Sequence, residues 1–253
     1  MKTAVVIPVY KQKMSETEEI SFKQCLKVLG DFPIIIVCPK GFNKQSFNNY
    51  KLIFEEFEAH YFKDIFGYNS LMLASHFYER FLAYHYILIH QLDVFIFKNE
   101  LEKWSNQGYD YIGAPWLATD NLTSKILKPF QSKKKKKREP IFYKVGNGGL
   151  SLRKTQSFYQ ISKELEPLIE KQLEKKDKIY AIEDVFWSLR VPEHFPEFSI
   201  PDFKIAAEFA LDRKPKIGFK INRGELPFGC HGFNKPKVID FWKPIIKKEF
   251  QKK

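Results

Sequence analysis

The chain has 253 residues and a mass of 30.0 kDa, with 44% hydrophobic and 28% charged residues. That is enough apolar side chain for one substantial core and too much for a disordered polymer. Lys and Arg outnumber Asp and Glu by 42 to 30, a net charge of +12 that favours anionic partners, and the run Lys133 to Arg138 alone supplies six of those charges.

No apolar stretch approaches the roughly 18 to 20 residues of a membrane-spanning helix. Met1-Lys2-Thr3 leads into a short apolar run that contains Pro8 and meets Lys11 without a small-residue cleavage site, so it reads as a first buried strand and not as a leader. Cys25, Cys38 and Cys230 are odd in number, far apart and without metal-ligand or redox spacing. They read as free buried thiols in a reducing compartment.

In chain order, Ala4 to Tyr10 is an apolar β-rich run of the kind covered on both faces in a parallel sheet. Ser15 and Glu18 form a capping box, Ile20, Phe22, Leu26 and Leu29 give a helix its apolar side, and Gly30 is expected to close it in the left-handed conformation. Ile34 to Cys38 is a second strand, and strand–helix–strand opens a βαβ unit of an α/β layered fold, with ligands expected at strand carboxyl ends. Phe57 to Phe62 reads as a third strand, Ser70 to Tyr84 as a helix, and Tyr86 to Phe97 as one apolar strand broken by His90, Gln91 and Asp93. Leu101 to Gln107 is a short helix ended by Gly108, and Tyr109 to Ile112 a short strand. Residues 117–140 hold the basic run between Pro129 and Pro140 and read as a flexible insertion within one domain spanning 1–253. A Gly146 to Gly149 turn separates Phe142 to Val145 from Leu150 to Arg153. A helix follows from Thr155 to about Lys175, another from Ile182 to Leu189, and a strand near Ala206 to Phe209.

Four segments carry candidate chemistry. Asp93, in Gln91-Leu92-Asp93, needs a partner, because burying an ionised carboxylate costs several kcal/mol unless it is paired or binds a cation. A divalent ion holding a diphosphate is one partner; a helix cap or a buried Arg is another. The segment from Val145 to Arg153 has glycines that let the backbone approach a ligand, or simply make a hairpin turn. Glu183-Asp184 is either a pair of acids favoured by a helix dipole or a general base beside an aromatic sugar platform of Phe186 and Trp187. His231 lies between glycines in Pro227 to Phe233 and is a candidate metal ligand.

The order of these parts resembles GT-A-fold glycosyltransferases. The stretches YNSLML, YILIHQLDVFIF, YDYIGAPW, VGNGGLSLR, EDVFW and PFGCHGF are closely similar to a bacterial family of uncharacterised glycosyltransferase-like proteins, and the similarity runs from Val5 to Trp242 outside the lysine-rich insertion. The resemblance implies a single GT-A-like, Rossmann-like domain with a mostly parallel central sheet flanked by helices. It implies a hexosyltransferase-like enzyme that moves a sugar from a nucleotide-diphosphate donor to a glycan or lipid-linked acceptor, inverting and metal-assisted, in bacterial surface polysaccharide biosynthesis. Asp93 then takes the last position of the DxD motif and, with His231, holds Mg²⁺ or Mn²⁺. Gln91 takes the first position, where the family pattern has an acid. Glu183 or, by preference, Asp184 is the catalytic base. Pro8, Tyr10, Gln91, Asp93, Asn147, Gly148, Gly149 and Trp187 line the donor site, Tyr10 by stacking on the base and the two glycines by their amides.

Lys133 to Arg138, with the basic tail at Lys247, Lys248, Lys252 and Lys253, would suit an anionic membrane surface. The expected location is cytoplasmic, peripheral on the inner face of the membrane. Two other classes compete. A catalytically inactive sugar-nucleotide-binding module is motivated by Gln91, and a nucleic-acid-binding protein by the net charge, although no motif interleaves basic and aromatic residues. A nucleotidyltransferase would need a glycine-rich loop after the first strand, where Lys11 to Ser15 has none.

Overall fold

The structure is a computed structural model that describes residues 2–118, 139–174 and 179–251. The strands are β1 (Thr3–Pro8), β2 (Ile34–Pro39), β3 (Ile53–Phe57), β4 (Tyr86–His90), β5 (Val94–Ile96), β6 (Tyr111–Gly113), β7 (Leu150–Lys154), β8 (Ala210–Leu211) and β9 (Gly229–His231). A six-stranded sheet has the order β3-β2-β1-β4-β7-β6, in which only β7 runs against its neighbours.

Alternation along the central strands shows why this sheet is buried on both faces. Val5 and Ile7 of β1 and Leu88 of β4 join one apolar cluster with Phe22, Leu29 and Ile36, while Ala4, Val6, Ile87 and Ile89 join another with Leu71, Phe77 and Phe158. A period of two therefore feeds two cores, one per face. The first lies under α1 (Glu16–Leu29), which starts on the expected Ser15–Glu18 capping box. The second lies under α2 (Ile65–Leu73), α3 (Ser75–Glu79) and helical segments that follow β7. A smaller sheet, β5-β9-β8, sits on a third cluster formed by Phe95, Leu211, Cys230 and Trp242. The three cysteines are free and buried.

Several expectations are corrected. Gly30 ends α1 at φ −64, right-handed, and a Cβ there would lie 2.4 Å from the Leu26 carbonyl oxygen, so close approach and not handedness calls for glycine. The third strand is Ile53–Phe57, and Ala59–Phe62 is a 3₁₀ turn; β3 pairs only with β2, and an edge strand tolerates Glu55 and Glu56. The helix expected over 70–84 is two helices, broken where Ala74 is extended (ψ 132), which lets the Tyr78 hydroxyl donate to the Met72 carbonyl at 2.6 Å. After β5 comes α4 (Leu101–Ser105). The helix after β7 is α5 (Thr155–Glu164) followed by α6 (Glu166–Leu173), because Pro167 has no amide to continue the ladder and fits only a first turn.

The Glu183 segment starts as α7 (Glu183–Val185), widens into a π-helical turn over Phe186–Arg190, and resumes as α8 (Val191–His194). The strand expected near 206–209 is instead α9 (Phe203–Phe209), whose Asp202 cap accepts from the amides of Lys204 and Ile205. It is followed by α10 (Pro215–Ile221) and α11 (Ile239–Gln251). The glycine segment is not a hairpin turn, since β7 pairs with β4 and β6. Of the expected insertion at 117–140, residues 119–138, with the whole basic run, lie outside the described residues, as do Lys252 and Lys253. Among the described residues, no helix is long and apolar enough to cross a membrane.

Candidate functional site

The apolar run from Tyr86 to Phe97 is two strands in two sheets, and the acid sits in the hinge between them. β4 ends at His90; the Gln91 amide then donates to the Gly149 carbonyl (2.9 Å) and the Val94 amide back to the Gln91 carbonyl (3.1 Å), which turns the chain into β5. There Val94 pairs in register with His231, the last residue of β9, and the Gly232 amide donates to the Asp93 carbonyl at 2.8 Å. Backbone pairing thus brings together two residues far apart in sequence.

His231 Nε2 lies 3.1 Å from Asp93 Oδ1 and 3.3 Å from Gln91 Oε1, its Nδ1 lies 3.5 Å from Asp212 Oδ1, and Lys235 Nζ lies 3.2 Å from Asp93 Oδ2. Burial works against charge on both partners of the central pair. For Asp93, the hydrogen bond and charge of His231 and the Lys235 ammonium outweigh it and hold the carboxyl well below the usual carboxylate range. For His231, Asp212 and Asp93 outweigh it and raise the imidazole to about 9. Asp93 Oδ1 is nevertheless buried without a well-aligned hydrogen bond.

The glycine segment is packed between the two sets of acids. A Cβ on Gly149 would lie 2.2 Å from His231 Nε2 and 2.8 Å from Gln91 Oε1, and one on Gly148 would lie 1.6 Å from Glu183 Oε1. Gly149→Ala is accordingly expected to cost about 1–3 kcal/mol through overpacking, read as a lower urea midpoint with unchanged slope. The two amides do not stand free for a sugar as the resemblance implied. Gly148 N–H points to Asp184 Oδ2 at 3.4 Å, and Gly149 N–H donates to Asn147 Oδ1 at 3.1 Å.

Glu183 and Asp184 are adjacent and have different surroundings. Both Glu183 oxygens lie within 3.2 Å of the Arg153 guanidinium, which also donates to Tyr78 (2.8 Å) and Ser151 (3.0 Å). Burial outweighs the pull of Arg153 and raises the Glu183 carboxyl to about 7, while the guanidinium on both oxygens favours its ionised form. The pair fixes the start of α7 against β7, and Glu183 is not free to serve as a base. Removing one partner strands a buried charge, so Glu183→Ala is expected to lose about 3–5 kcal/mol and Arg153→Met with Glu183→Leu to recover most of it, measured by urea unfolding. Asp184 is not so paired: Oδ1 is buried without a partner, and burial pushes its carboxyl above the ordinary value against the amides of Gly148 and Val185.

Two cavities meet at this cluster. One of about 500 Å³ opens at the carboxyl end of β1 and is lined by Pro8, Tyr10, Lys11, Tyr68, Gln91 and Asp93 among others. The other, of about 320 Å³, is lined by Tyr68, Gln91, Asn147, Gly148, Gly149, Asp184, Asp212 and His231 among others. Every sequence-predicted site residue therefore lies on one cavity or the other except Trp187. Trp187 and Phe186 are fully buried, and the Trp187 indole N–H donates to the Met72 carbonyl at 3.3 Å, so neither offers a face for a sugar to stack on. Sequence reasoning missed Tyr68, which lines both cavities with a buried hydroxyl lacking a partner, and also Arg153, Asp212 and Lys235. A buried Arg inside a strand was the one signal available for Arg153; the others have none that is local.

Comparison with known proteins gives a family and a fold. The family described as protein of unknown function (DUF5672) matches residues 51–231, and no curated protein matches the chain. Among solved structures, galactosyltransferase LgtC in complex with donor and acceptor sugar analogs is similar with a TM-score of 0.58 at 12% identity, over 98% of this chain and 95% of LgtC. Mouse xyloside xylosyltransferase 1 gives 0.57 at 11%, over 90% of this chain and 96% of the mouse protein. Glycosyltransferase GlyE of Streptococcus pneumoniae TIGR4 gives 0.57 at 12%, over 99% of this chain but only 60% of GlyE. The fold is that of GT-A glycosyltransferases, a mixed α/β domain with a mostly parallel central sheet.

Proposed function

We propose that this chain, which belongs to the DUF5672 family, is a glycosyltransferase that takes a nucleoside-diphosphate sugar in the β1 cavity and transfers its sugar to a hydroxyl held in the Asp184 cavity. The observation that carries this reading is the meeting of the two cavities at Gln91, with Asp93 and His231 at the junction and the unpaired Asp184 carboxylate on the second cavity. Likeness of fold to glycosyltransferases supports it; the hexosyl donor and the inverting course rest on the resemblance.

The residues at the junction fit a divalent cation. Among the described residues, no three His, Cys, Asp or Glu side chains are grouped to hold one, so the set is Asp93 Oδ1, His231 Nε2 and, as a neutral third ligand, Gln91 Oε1. Their separations of 3.1 and 3.3 Å suit neighbouring ligands on one small ion, which takes such atoms at about 2.0–2.1 Å. When bound, Mg²⁺ or Mn²⁺ would neutralise charge on the leaving diphosphate. The chain's own groups do the rest. Asp184 accepts the proton of the acceptor hydroxyl, the hydroxyl oxygen bonds to the anomeric carbon, and the bond from that carbon to the diphosphate oxygen breaks with its electron pair leaving on the diphosphate. Tyr10, 57% exposed at the cavity mouth, offers its ring to the base, and Asn147 lies within the sugar cavity.

The acceptor is proposed, on the resemblance, to be a glycan or lipid-linked glycan of a bacterial surface, with the basic run as a contact for anionic membrane. Turnover of a nucleotide-sugar panel on whole-cell glycan extracts tests the function. Transfer lost in Asp184→Asn supports it, and tight nucleotide binding with no transfer to any acceptor favours a binding module.

A further inference from the structure

His231 is held from two sides by oxygens that compete for its proton. A neutral imidazole has one N–H and one lone pair, and the partner of each nitrogen decides which is which. Nε2 faces two acceptors, Asp93 Oδ1 at 3.1 Å and Gln91 Oε1 at 3.3 Å. Binding a cation requires the neutral ring; left to those two acceptors, its remaining proton would sit on Nε2 and the lone pair would turn away from the junction of the cavities. Asp212 supplies the opposing acceptor. It directly follows β8, whose Leu211 is in register with Cys230 of β9, so the sheet places it beside His231. Both are 8% exposed, and Asp212 Oδ1 lies 3.5 Å from Nδ1 while Oδ2 faces Arg213 Nε at 3.6 Å.

We propose that Asp212 is a positioning residue that draws the His231 proton to Nδ1 and so presents the Nε2 lone pair to the space shared with Asp93 and Gln91. The inference rests on the cation site proposed above. The contact is long and His231 Nδ1 has no aligned hydrogen bond; such contacts tighten when a site is loaded. A carboxylate behind a ligating imidazole fixes its ring and raises its basicity, and its loss typically costs 10–100-fold in metal affinity.

The test uses Mn²⁺ itself, alone and with a panel of nucleoside diphosphates, titrated into the full chain with free Mn²⁺ read by electron paramagnetic resonance. Asp212→Ala is expected to weaken Mn²⁺ by about 10–100-fold, with Asp212→Asn, which keeps an acceptor oxygen and loses the charge, in between. In ¹⁵N-histidine spectra of the metal-free proteins, at a pH where the ring is neutral, the His231 proton is expected on Nδ1 in wild type and on Nε2 in Asp212→Ala. Mn²⁺ affinity of Asp212→Ala within twofold of wild type would overturn the role of Asp212 and leave the cation site standing. Wild type that takes up no Mn²⁺ under any of these conditions would overturn the cation site, and the inference with it.

Discussion

Asp184→Asn is expected to lower kcat by about 10²–10⁴-fold, the usual worth of a positioned general base, with donor KM changed little. The substitution keeps the side chain's shape and its oxygen toward the Gly148 amide, so the fold should survive, which a far-ultraviolet spectrum and a urea midpoint verify. The sign of the pH effect follows from its surroundings. Burial pushes the carboxyl above its ordinary value, and only the ionised form accepts a proton. The wild-type rate should therefore fall as pH drops through an inflection above the ordinary Asp range near 3.9, and that limb should vanish from the residual rate of the variant. A kcat within threefold of wild type would remove Asp184 from the mechanism.

Asp93→Ala is expected to be at least as damaging, about 10³-fold or more in kcat/KM, because a bound cation is worth several kcal/mol of charge stabilisation and each 1.36 kcal/mol is tenfold. Its stability effect has a definite pH window. The folded carboxyl is held well below its unfolded value by His231 and Lys235, so its contribution is fully present above the unfolded value and is lost as pH falls through the folded one. In metal-free protein, wild type and Asp93→Ala should differ most near neutrality and converge in acid. Equal activity of the two proteins at saturating donor would contradict the assignment.

The fold and the site were legible to different depths. Strands with alternation feeding two cores, such as β1 and β4, read directly from period and β-branching, and the Ser15–Glu18 box marked the start of α1. The hinge at Gln91 to Asp93 did not, since Phe95 and Ile96 continue the apolar run of β4 while belonging to another sheet. Local pattern carries no record of which sheet a strand joins. The segment Phe203–Phe209 has the apolar content of a strand, and only the N-cap Asp202 marks it as a helix. The sequence-predicted residues that line the two cavities were legible because an acid in an apolar strand, glycines in sequence and a His between glycines each break a local rule. Trp187 failed for the complementary reason: an aromatic beside an acid looks the same whether it lines a site or fills a core. Asp212 and Tyr68 become visible only when β8 is laid beside β9 and α2 over the junction of the cavities.

Whether the β1 cavity takes a nucleotide diphosphate through Asp93 and a divalent ion is decided by calorimetric titration of UDP, GDP, ADP, CDP and dTDP, with and without Mn²⁺, on wild type and Asp93→Ala. At least one nucleotide should bind wild type only with Mn²⁺ and should lose that dependence in the variant. Wild type that binds none of them in either condition would contradict it.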